Sequence, residues 1–246
     1  MTKGVARSFG RACRTYRQAA RAQALAAQDC ADLCGSGGLG RVLEIGAGCG
    51  LLTELLAPRA SRGYVALDLS PDMLACLDQS GVCRVLADAE ALPLRPGAFD
   101  FLASASALQW FTRPEISLPA CLDQLRPGGR FCLSVFTAGT LAELAEASKI
   151  SGFGSFWPLR PATDYQAILE GIPGVRLEWK ETEYVLRYPT PRAALEGLRK
   201  SGAGFGGGRP RPDKAGYRAF LQACEERSGG GALLTYRAAM FWGERG

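Results

Sequence analysis

A glycine-rich segment directly after a predicted buried strand offers the clearest chemistry in the sequence. Glu44 is followed by Gly46, Gly48 and Gly50 in the pattern E-x-G-x-G-x-G. Glycines at such a turn let a ligand approach the backbone closely, and the helix that follows presents its N-terminus. A dinucleotide-binding site would need the pattern G-x-G-x-x-G, and Leu51 does not supply its last glycine. We therefore expect a ligand other than a nicotinamide dinucleotide.

Carboxylates near this segment favour S-adenosylmethionine as that ligand. Glu44 would face a pyrophosphate badly but can accept hydrogen bonds from an ammonium group, and S-adenosylmethionine carries an ammonium and no phosphate. Asp68 ends the second predicted strand, 18 residues after Gly50, where a carboxylate can accept hydrogen bonds from both ribose hydroxyls. A structural turn with a helix-capping aspartate is the alternative. The combination of Glu44, Asp68 and Asp88 argues against it.

Four further residues complete the predicted cofactor site. Asp88 and Ala89 follow the third predicted strand and are expected beside the adenine, with Asp88 accepting a hydrogen bond from the exocyclic amine. Met73 could cover the base with apolar surface or belong to an ordinary helix core, and the sequence leaves both open. Ser104, at the end of the fourth predicted strand, is also assigned to the cofactor site.

Strands and helices alternate along the first half of the chain, which is typical of βαβ units and a parallel sheet. Strands are predicted at residues 41–45, 64–67, 83–86, 99–104 and 130–136, and helices at 5–34, 51–56, 71–77 and 118–125, the last closed by a turn at 126–129. Strands at 175–187 and 233–242, helices at 191–200 and 213–227, and a loop at 201–212 are placed at one edge of the same sheet. The sequence predicts one α/β domain over 1–246, with a mostly parallel seven-stranded sheet and helices on both faces.

The composition excludes several classes of function. The chain of 246 residues has no histidine, which excludes Ser-His and Cys-His nucleophiles, and its nine cysteines lack CxxC pairs, so that no metal is expected. The odd number of cysteines favours reduced, mostly buried thiols in a cytoplasmic protein. No apolar run approaches the roughly 20 residues of a membrane span. A secretory leader and a nucleic-acid partner are not expected either.

The N-terminal segment concentrates positive charge. Residues 1–28 hold six basic and no acidic residues, which indicates an acidic partner or an anionic ligand nearby. At about 100° per residue, one helix face carries aromatic and small side chains and the opposite face carries arginines. The first set is Phe9, Tyr16, Ala20, Gln23 and Ala27, and the second is Arg7, Arg11, Arg14 and Arg21. A core stripe with a solvated basic side and an organelle transit peptide are the alternatives.

The order of these motifs resembles that of the class I S-adenosylmethionine-dependent methyltransferases, which have a Rossmann-like fold. This resemblance covers about residues 40–136 and includes the segments Ala-Phe-Asp-Phe-Leu at 98–102 and Leu-Arg-Pro-Gly-Gly at 125–129. A narrower resemblance, over nearly the whole chain, is to the malonyl-[acyl-carrier protein] O-methyltransferases of biotin synthesis. It rests on Phe9-Gly10-Arg11, Tyr16, Gln23 and the segments at 106–110, 136–137, 141–144, 198–203 and 233–236.

The narrower resemblance implies S-adenosylmethionine as the cofactor and malonyl-acyl-carrier protein as substrate and partner. It divides the domain into a lid helix at 1–38, a cofactor-binding half at 39–136 and a substrate side at 137–246. Tyr16 of the lid is then expected to touch both cofactor and substrate. Gln109 and Trp110 are expected to form a wall after the fourth strand. Arg199 either anchors the substrate carboxylate or is a solvated helix residue.

The expected reaction transfers a methyl group to the malonyl carboxylate. A carboxylic acid with a pKa of about 4 is already ionised at neutral pH, so no general base is needed, which agrees with a chain that lacks histidine. Three alternatives stay open. They are a carboxyl methyltransferase of the trans-aconitate type, a regulatory protein that binds S-adenosylmethionine without catalysis, and a nicotinamide dehydrogenase, which the glycine pattern disfavours.

Overall fold

The computed structural model describes residues 3–154, 157–203 and 214–246. Its strands are β1 (Val42–Ile45), β2 (Tyr64–Asp68), β3 (Val82–Leu86), β4 (Phe99–Ala105), β5 (Leu125–Phe136), β6 (Val175–Tyr188) and β7 (Ala232–Arg245). Its α-helices are α1 (Lys3–Ala19), α2 (Arg21–Leu33), α3 (Thr53–Leu56), α4 (Pro71–Ala75), α5 (Pro114–Leu122), α6 (Ala142–Ser151), α7 (Ala162–Glu170), α8 (Pro191–Lys200) and α9 (Lys214–Ser228).

The strands form a seven-stranded sheet in the order β3-β2-β1-β4-β5-β7-β6 within the described part of the chain. β1 to β5 pair in parallel, and β7 lies antiparallel between β5 and β6. The chain order therefore reverses between β1 and β4. In open α/β sheets the crevice at such a reversal, outside the carboxyl ends of the strands, is the usual ligand site. The predicted fold class is confirmed.

Helices cover both faces of the parallel strands, which explains why β1 is buried along its whole length. Leu43 and Ile45 pack in one apolar cluster with residues of α5 and α7. Val42 and Phe101 pack in another with residues of α2 and α3. A third cluster joins α6, α8 and α9 to the antiparallel strands. All nine thiols are free and six of them are buried, as the composition predicted.

The helix predicted at 5–34 is two helices in the structure. α1 ends at Ala19, α2 begins at Arg21, and Ala20 between them leaves the helical conformation, with φ −82° and ψ 51°. Residues 11–34 contain no glycine or proline, so the sequence carries no break signal. Ala20 is fully buried in a cluster with Tyr16 and Met73. Packing, rather than local propensity, places the break.

Two other elements differ from the prediction. The turn predicted at 126–129 does not separate a helix from a strand, because β5 already begins at Leu125. Residues 126–129 belong to β5, and its pairing with β4 is irregular there. Its glycines signal a turn, whereas the pairing of Leu125 with Phe99 decides where the strand starts. No helix is predicted from the sequence at α6. The residue before that helix, Leu141, adopts a left-handed conformation with φ 57°.

The loop predicted at 201–212 lies mostly outside the described residues, which stop at Ala203 and resume at Lys214. None of the helices in the described ranges is long and apolar enough to cross a membrane.

Candidate active site

The glycine segment forms a tight loop between β1 and α3, at the carboxyl edge of the sheet. The three glycines of the loop have positive φ angles, which residues with a side chain rarely adopt: 70° at Gly46, 56° at Gly48 and 95° at Gly50. A Cβ atom at Gly46 would collide with the Cβ of Ala107, in the turn after β4. Only a residue without a side chain therefore fits at Gly46, where the loops after β1 and β4 pack against each other.

Asp68 links this loop to the one after β2. Its Oδ2 accepts a hydrogen bond from the backbone N–H of Gly48 at 2.8 Å, and its Oδ1 accepts one from the N–H of Ser70 at 2.8 Å. Burial raises the pKa of Asp68, and the backbone hydrogen bonds only partly offset this. Each carboxylate oxygen can accept a second hydrogen bond. The arrangement therefore matches a ligand that presents two adjacent hydroxyls.

Glu44 lies on β1, directly before the glycine loop, and is buried. Thr53 Oγ1 and the Tyr64 hydroxyl donate to the same oxygen, Oε2, at 2.5 and 2.7 Å. Neither of these bonds uses Oε1. Burial raises the pKa of Glu44 to about 7, although the two hydrogen bonds act in the opposite direction. A bound cation would favour the ionised form of such a group.

Helix α1, which the family resemblance interprets as part of a lid and which we call the lid, lies across the carboxyl edge of the sheet, where it contacts α4 on one side and α8 on the other. Tyr16 is 9% exposed and packs in a cluster with Ala20, Cys49 and Met73. Burial raises the pKa of the Tyr16 phenol, so this side chain is neutral at physiological pH. Met73 touches both the lid and the glycine loop, since a Cβ at Gly48 would lie 3.2 Å from its Cε atom.

The turn after β4 carries buried polar atoms without partners. Ser106 has a positive φ of 59°, unusual for a residue with a side chain. Gln109 Nε2 donates to the Ser106 carbonyl at 2.7 Å. Within the described residues, Ser106 Oγ, Gln109 Oε1 and Trp110 Nε1 have no hydrogen-bond partner. An unsatisfied buried polar group costs about 1–3 kcal/mol, so three within five residues point to a missing ligand.

Trp110 also connects this turn to the lid. Its ring meets Phe9 of α1 edge-on, with the ring centroids 5.8 Å apart, and Trp157 at 6.2 Å. Phe9 in turn contacts Tyr16 edge-on at 6.0 Å. An aromatic row thus runs from the lid to the turn after β4 and can exclude water from the crevice.

The other predicted cofactor residues, Asp88, Ala89 and Ser104, are engaged in contacts within the protein. Asp88 follows β3, and its Oδ1 accepts a hydrogen bond from Glu90 N at 2.9 Å. Ala89 is buried in the core. Ser104 is fully buried and its hydroxyl donates to the Ile45 carbonyl at 2.8 Å, which ties β4 to β1. The Ser104 side chain is therefore engaged within the sheet rather than presented to the crevice.

Arg199 lies exposed in the last turn of α8. The end of α8 also supports the lid. Thr15 Oγ1 donates to the Lys200 carbonyl and Ser8 Oγ to the Gly202 carbonyl, both at 2.9 Å. Both sequence interpretations of Arg199, the carboxylate anchor and the solvated helix residue, stay predictions.

Sequence reasoning missed two residues at this site, Arg17 and Ser106. Arg17 was counted among the basic residues of the N-terminal segment, yet its guanidinium contacts the glycine loop and α3. No local pattern marks a partner 37 positions away. Ser106 was noticed only as part of a family segment, because a positive φ at serine has no sequence signal.

A groove of about 360 Å³ opens at the opposite, amino end of the parallel strands. Leu33, Arg130 and Trp242 are among its lining residues. It is separate from the glycine loop, and we assign it no part in the candidate site.

Comparison with known proteins agrees with this geometry. A family described as "Methyltransferase domain" matches residues 43–133. A curated malonyl-[acyl-carrier protein] O-methyltransferase from Chlorobium phaeovibrioides is 32% identical over 252 residues, covering 95% of this chain and 92% of the relative. The biotin biosynthesis bifunctional protein BioHC of Cellvibrio japonicus is 37% identical over 149 residues, covering 59% of this chain and 30% of that protein.

The fold is also that of solved structures. The YcgJ protein from Bacillus subtilis superposes with a TM-score of 0.66 at 14% identity, covering 89% of this chain and 97% of that one. The sheet order, the glycine loop and the matched domain define a class I S-adenosylmethionine-dependent methyltransferase. The similarity extends well beyond the cofactor-binding half, and the chain belongs to the malonyl-[acyl-carrier protein] O-methyltransferase family.

Proposed function

We propose that this protein transfers a methyl group from S-adenosylmethionine to the free carboxylate of a malonyl thioester on acyl-carrier protein, which gives the methyl ester that starts biotin synthesis. The observation that carries the proposal is the extent of the family similarity, which spans 95% of this chain and 92% of the relative. Incubation with S-adenosylmethionine and malonyl-acyl-carrier protein, followed by mass spectrometry of the carrier, tests it.

The residues at the carboxyl edge fit this cofactor. The glycine loop, which carries no side chains at 46, 48 and 50, would accommodate the close approach of its methionine part, and Asp68 would accept hydrogen bonds from the ribose hydroxyls. Glu44 would attract the ammonium group, and Asp88 and Ala89 would line the place of the adenine. Met73 remains both a packing residue and a cover for the base. When bound, the cofactor supplies an electrophilic methyl group on a sulfonium.

The protein's own contribution to the reaction is orientation and exclusion of water. The acyl carboxylate is ionised at neutral pH, so no side chain has to remove a proton from it. Tyr16, Phe9 and Trp110 close the crevice with aromatic surface, which favours a near-attack geometry in a dry pocket. The unpartnered Ser106 hydroxyl and Trp110 N–H are donors for the oxygens of the acyl group.

The pH dependence separates cofactor binding from turnover. We expect kcat at saturating cofactor to stay nearly flat between about pH 6 and 8, because the nucleophile needs no deprotonation there. The pKa of Glu44 is about 7 without ligand, so at lower pH the group is protonated and attracts the ammonium less. The KM for S-adenosylmethionine should therefore fall as pH rises, by roughly tenfold from pH 6 to pH 8.

Initial-rate kinetics across that pH range measure both quantities, and Glu44→Gln should remove the pH dependence of KM. A steep rise of kcat around neutrality would instead mean that a general base takes part, which contradicts the carboxylate nucleophile.

The exposed face of the lid suits an acidic carrier protein. Arg7, Arg11 and Arg14 are exposed on α1, opposite the buried Tyr16. Steering by such a face raises the association rate and weakens with salt. We expect Arg11→Glu combined with Arg14→Glu to raise KM for the malonyl-carrier protein at least tenfold, by roughly the 1–2 decades that steering supplies. KM for the cofactor and for malonyl-CoA should change only a few-fold.

A matched control reverses Arg84 and Arg95, two exposed arginines outside α1. Equal losses on malonyl-carrier protein and malonyl-CoA would show that the arginines only hold the lid in place. No loss on either would remove this face from carrier docking. Carrier docking would then move to the basic residues of the glycine-rich segment, Arg209, Arg211 and Lys214. The two arginines lie outside the described residues, and Lys214 is exposed at the start of α9.

A further inference from the structure

Arg17 makes the most specific contact between the lid and the cofactor-binding half. Its Nη1 donates to Glu54 Oε2 at 2.8 Å and its Nη2 to Glu54 Oε1 at 2.6 Å, so the guanidinium and the carboxylate meet through two parallel hydrogen bonds. Nη2 also donates to the Cys49 carbonyl at 2.9 Å. The planar fork of arginine suits a bidentate carboxylate, and lysine cannot reproduce that geometry.

The partners of Arg17 belong to the two elements that shape the cofactor loop. Cys49 lies between Gly48 and Gly50, and Glu54 lies in the first turn of α3. Arg17 directly follows Tyr16, whose ring is buried against Cys49. One short stretch of the lid thus holds an inward aromatic side chain and an arginine bound to the loop beneath it.

At its other flank the lid is held through Ser8 and Thr15, which donate to carbonyls at the end of α8. These bonds do not reach the glycine loop. The contact of Arg17 with Glu54 and Cys49 is therefore placed to set how closely the lid lies over that loop.

Exposure limits what this contact contributes to global stability. The Arg17 and Glu54 side chains are each 41% exposed, and exposed ion pairs contribute little to the free energy of unfolding. The same contact can still control a local equilibrium. If the lid opens and closes, the apparent dissociation constant of a ligand enclosed beneath it rises as the closed fraction falls.

We infer that Arg17 is a positioning residue that holds the lid helix closed over the cofactor loop through Glu54 and the Cys49 carbonyl. It acts on cofactor affinity rather than on the methyl-transfer step, because it contacts the loop and not the reacting groups. The inference rests on the proposed function only in taking S-adenosylmethionine as the ligand beneath the lid.

The test uses Arg17→Met, Glu54→Gln and the double variant in the full chain. Each single variant should raise the dissociation constant for S-adenosylmethionine roughly 3- to 10-fold, as measured by calorimetry without acyl substrate. The double variant should bind no worse than the weaker single one, because both changes remove the same contact. Arg17→Lys keeps the charge but not the fork and should lie between wild type and Arg17→Met.

Gln18→Met is the matched control, since Gln18 is the exposed neighbour of Arg17 on the same helix. It should bind the cofactor like the wild type. Hydrogen exchange of α1 without any ligand gives a second readout, in which Arg17→Met should exchange faster than the wild type. In a separate measurement, kcat of Arg17→Met at saturating substrates should stay nearly unchanged. The exchange readout distinguishes failure of the inference from failure of the proposed reaction.

The inference is overturned if Arg17→Met binds the cofactor with wild-type affinity and shows wild-type exchange in α1. It is also overturned if the loss appears in kcat alone, or if the effects of Arg17→Met and Glu54→Gln simply add.

Discussion

Gly46→Ala is expected to lower the affinity for S-adenosylmethionine roughly 10- to 100-fold, because displacing the binding loop removes hydrogen bonds worth about 1–3 kcal/mol. The added Cβ would collide with the Cβ of Ala107, at a φ of 70° that alanine resists. The loop after β1 or the turn after β4 must therefore move. Both border the crevice, and the second carries the unpartnered atoms of Ser106, Gln109 and Trp110.

Gly97→Ala is a close control for backbone strain. Its φ of 69° nearly equals that of Gly46, yet an added Cβ there would meet nothing within 4 Å. Both variants place an alanine in the left-handed conformation, which costs about 1–2 kcal/mol of stability. Only Gly46→Ala adds the collision with Ala107. Calorimetry and thermal unfolding of both variants separate the two effects. Equal cofactor affinity of the two folded variants would contradict the placement of the site.

Gly48→Ala extends this series should Gly46→Ala not fold. Its added methyl would meet only the flexible end of Met73, at 3.2 Å, so an intermediate loss of affinity is expected.

Asp68→Asn is expected to weaken cofactor binding by about 1.5–3 kcal/mol, or roughly 10- to 150-fold, because charge-assisted hydrogen bonds to the ribose are lost. Asparagine is preferred to alanine because Asp68 also accepts hydrogen bonds from Gly48 N and Ser70 N. An amide keeps one acceptor oxygen, so the two loops are not left without any link.

The binding loss must be separated from damage to the loops. Asp164→Asn is a suitable control, because Asp164 is an exposed aspartate in the first turn of α7 and no part of the candidate site. It should bind the cofactor normally. Unchanged affinity in a folded Asp68→Asn variant would remove Asp68 from the ribose site, whereas a parallel fall in melting temperature and affinity would indicate a purely structural role.

The parts of the site that sequence reasoning predicted are those that local constraints determine. Gly46, Gly48 and Gly50 adopt conformations that only glycine takes readily, so their spacing carries the loop shape directly. Asp68 is the last of the five buried residues of β2, and the end of such a strand is recognisable from its apolar pattern. The parallel arrangement of the first five strands follows from the alternation of strands and helices, because parallel strands need crossover connections, whereas the strand order comes from the structure.

The parts that sequence reasoning missed depend on contacts between distant segments. The break at Ala20 arises from its burial beneath the lid, and the start of β5 from pairing with β4. Arg17 and Glu54 lie 37 positions apart, so nothing near Arg17 distinguishes it from the exposed arginines of the same helix. The role of Arg199 stays a prediction: its side chain is exposed in the last turn of α8, and no contact within the described residues decides between an anchor for the substrate carboxylate and a solvated helix residue.

Methyl transfer from labelled S-adenosylmethionine, compared across malonyl-acyl-carrier protein, malonyl-CoA, free malonate and trans-aconitate, is the most direct test of the proposed function. We expect the highest kcat/KM on the malonyl-carrier protein, weaker activity on malonyl-CoA, which lacks an acidic carrier to meet Arg11 and Arg14, and little on the free acids. Preferred methylation of a free dicarboxylate would contradict the carrier-bound substrate. Cofactor binding without transfer to any of the four acceptors would contradict the proposed reaction itself.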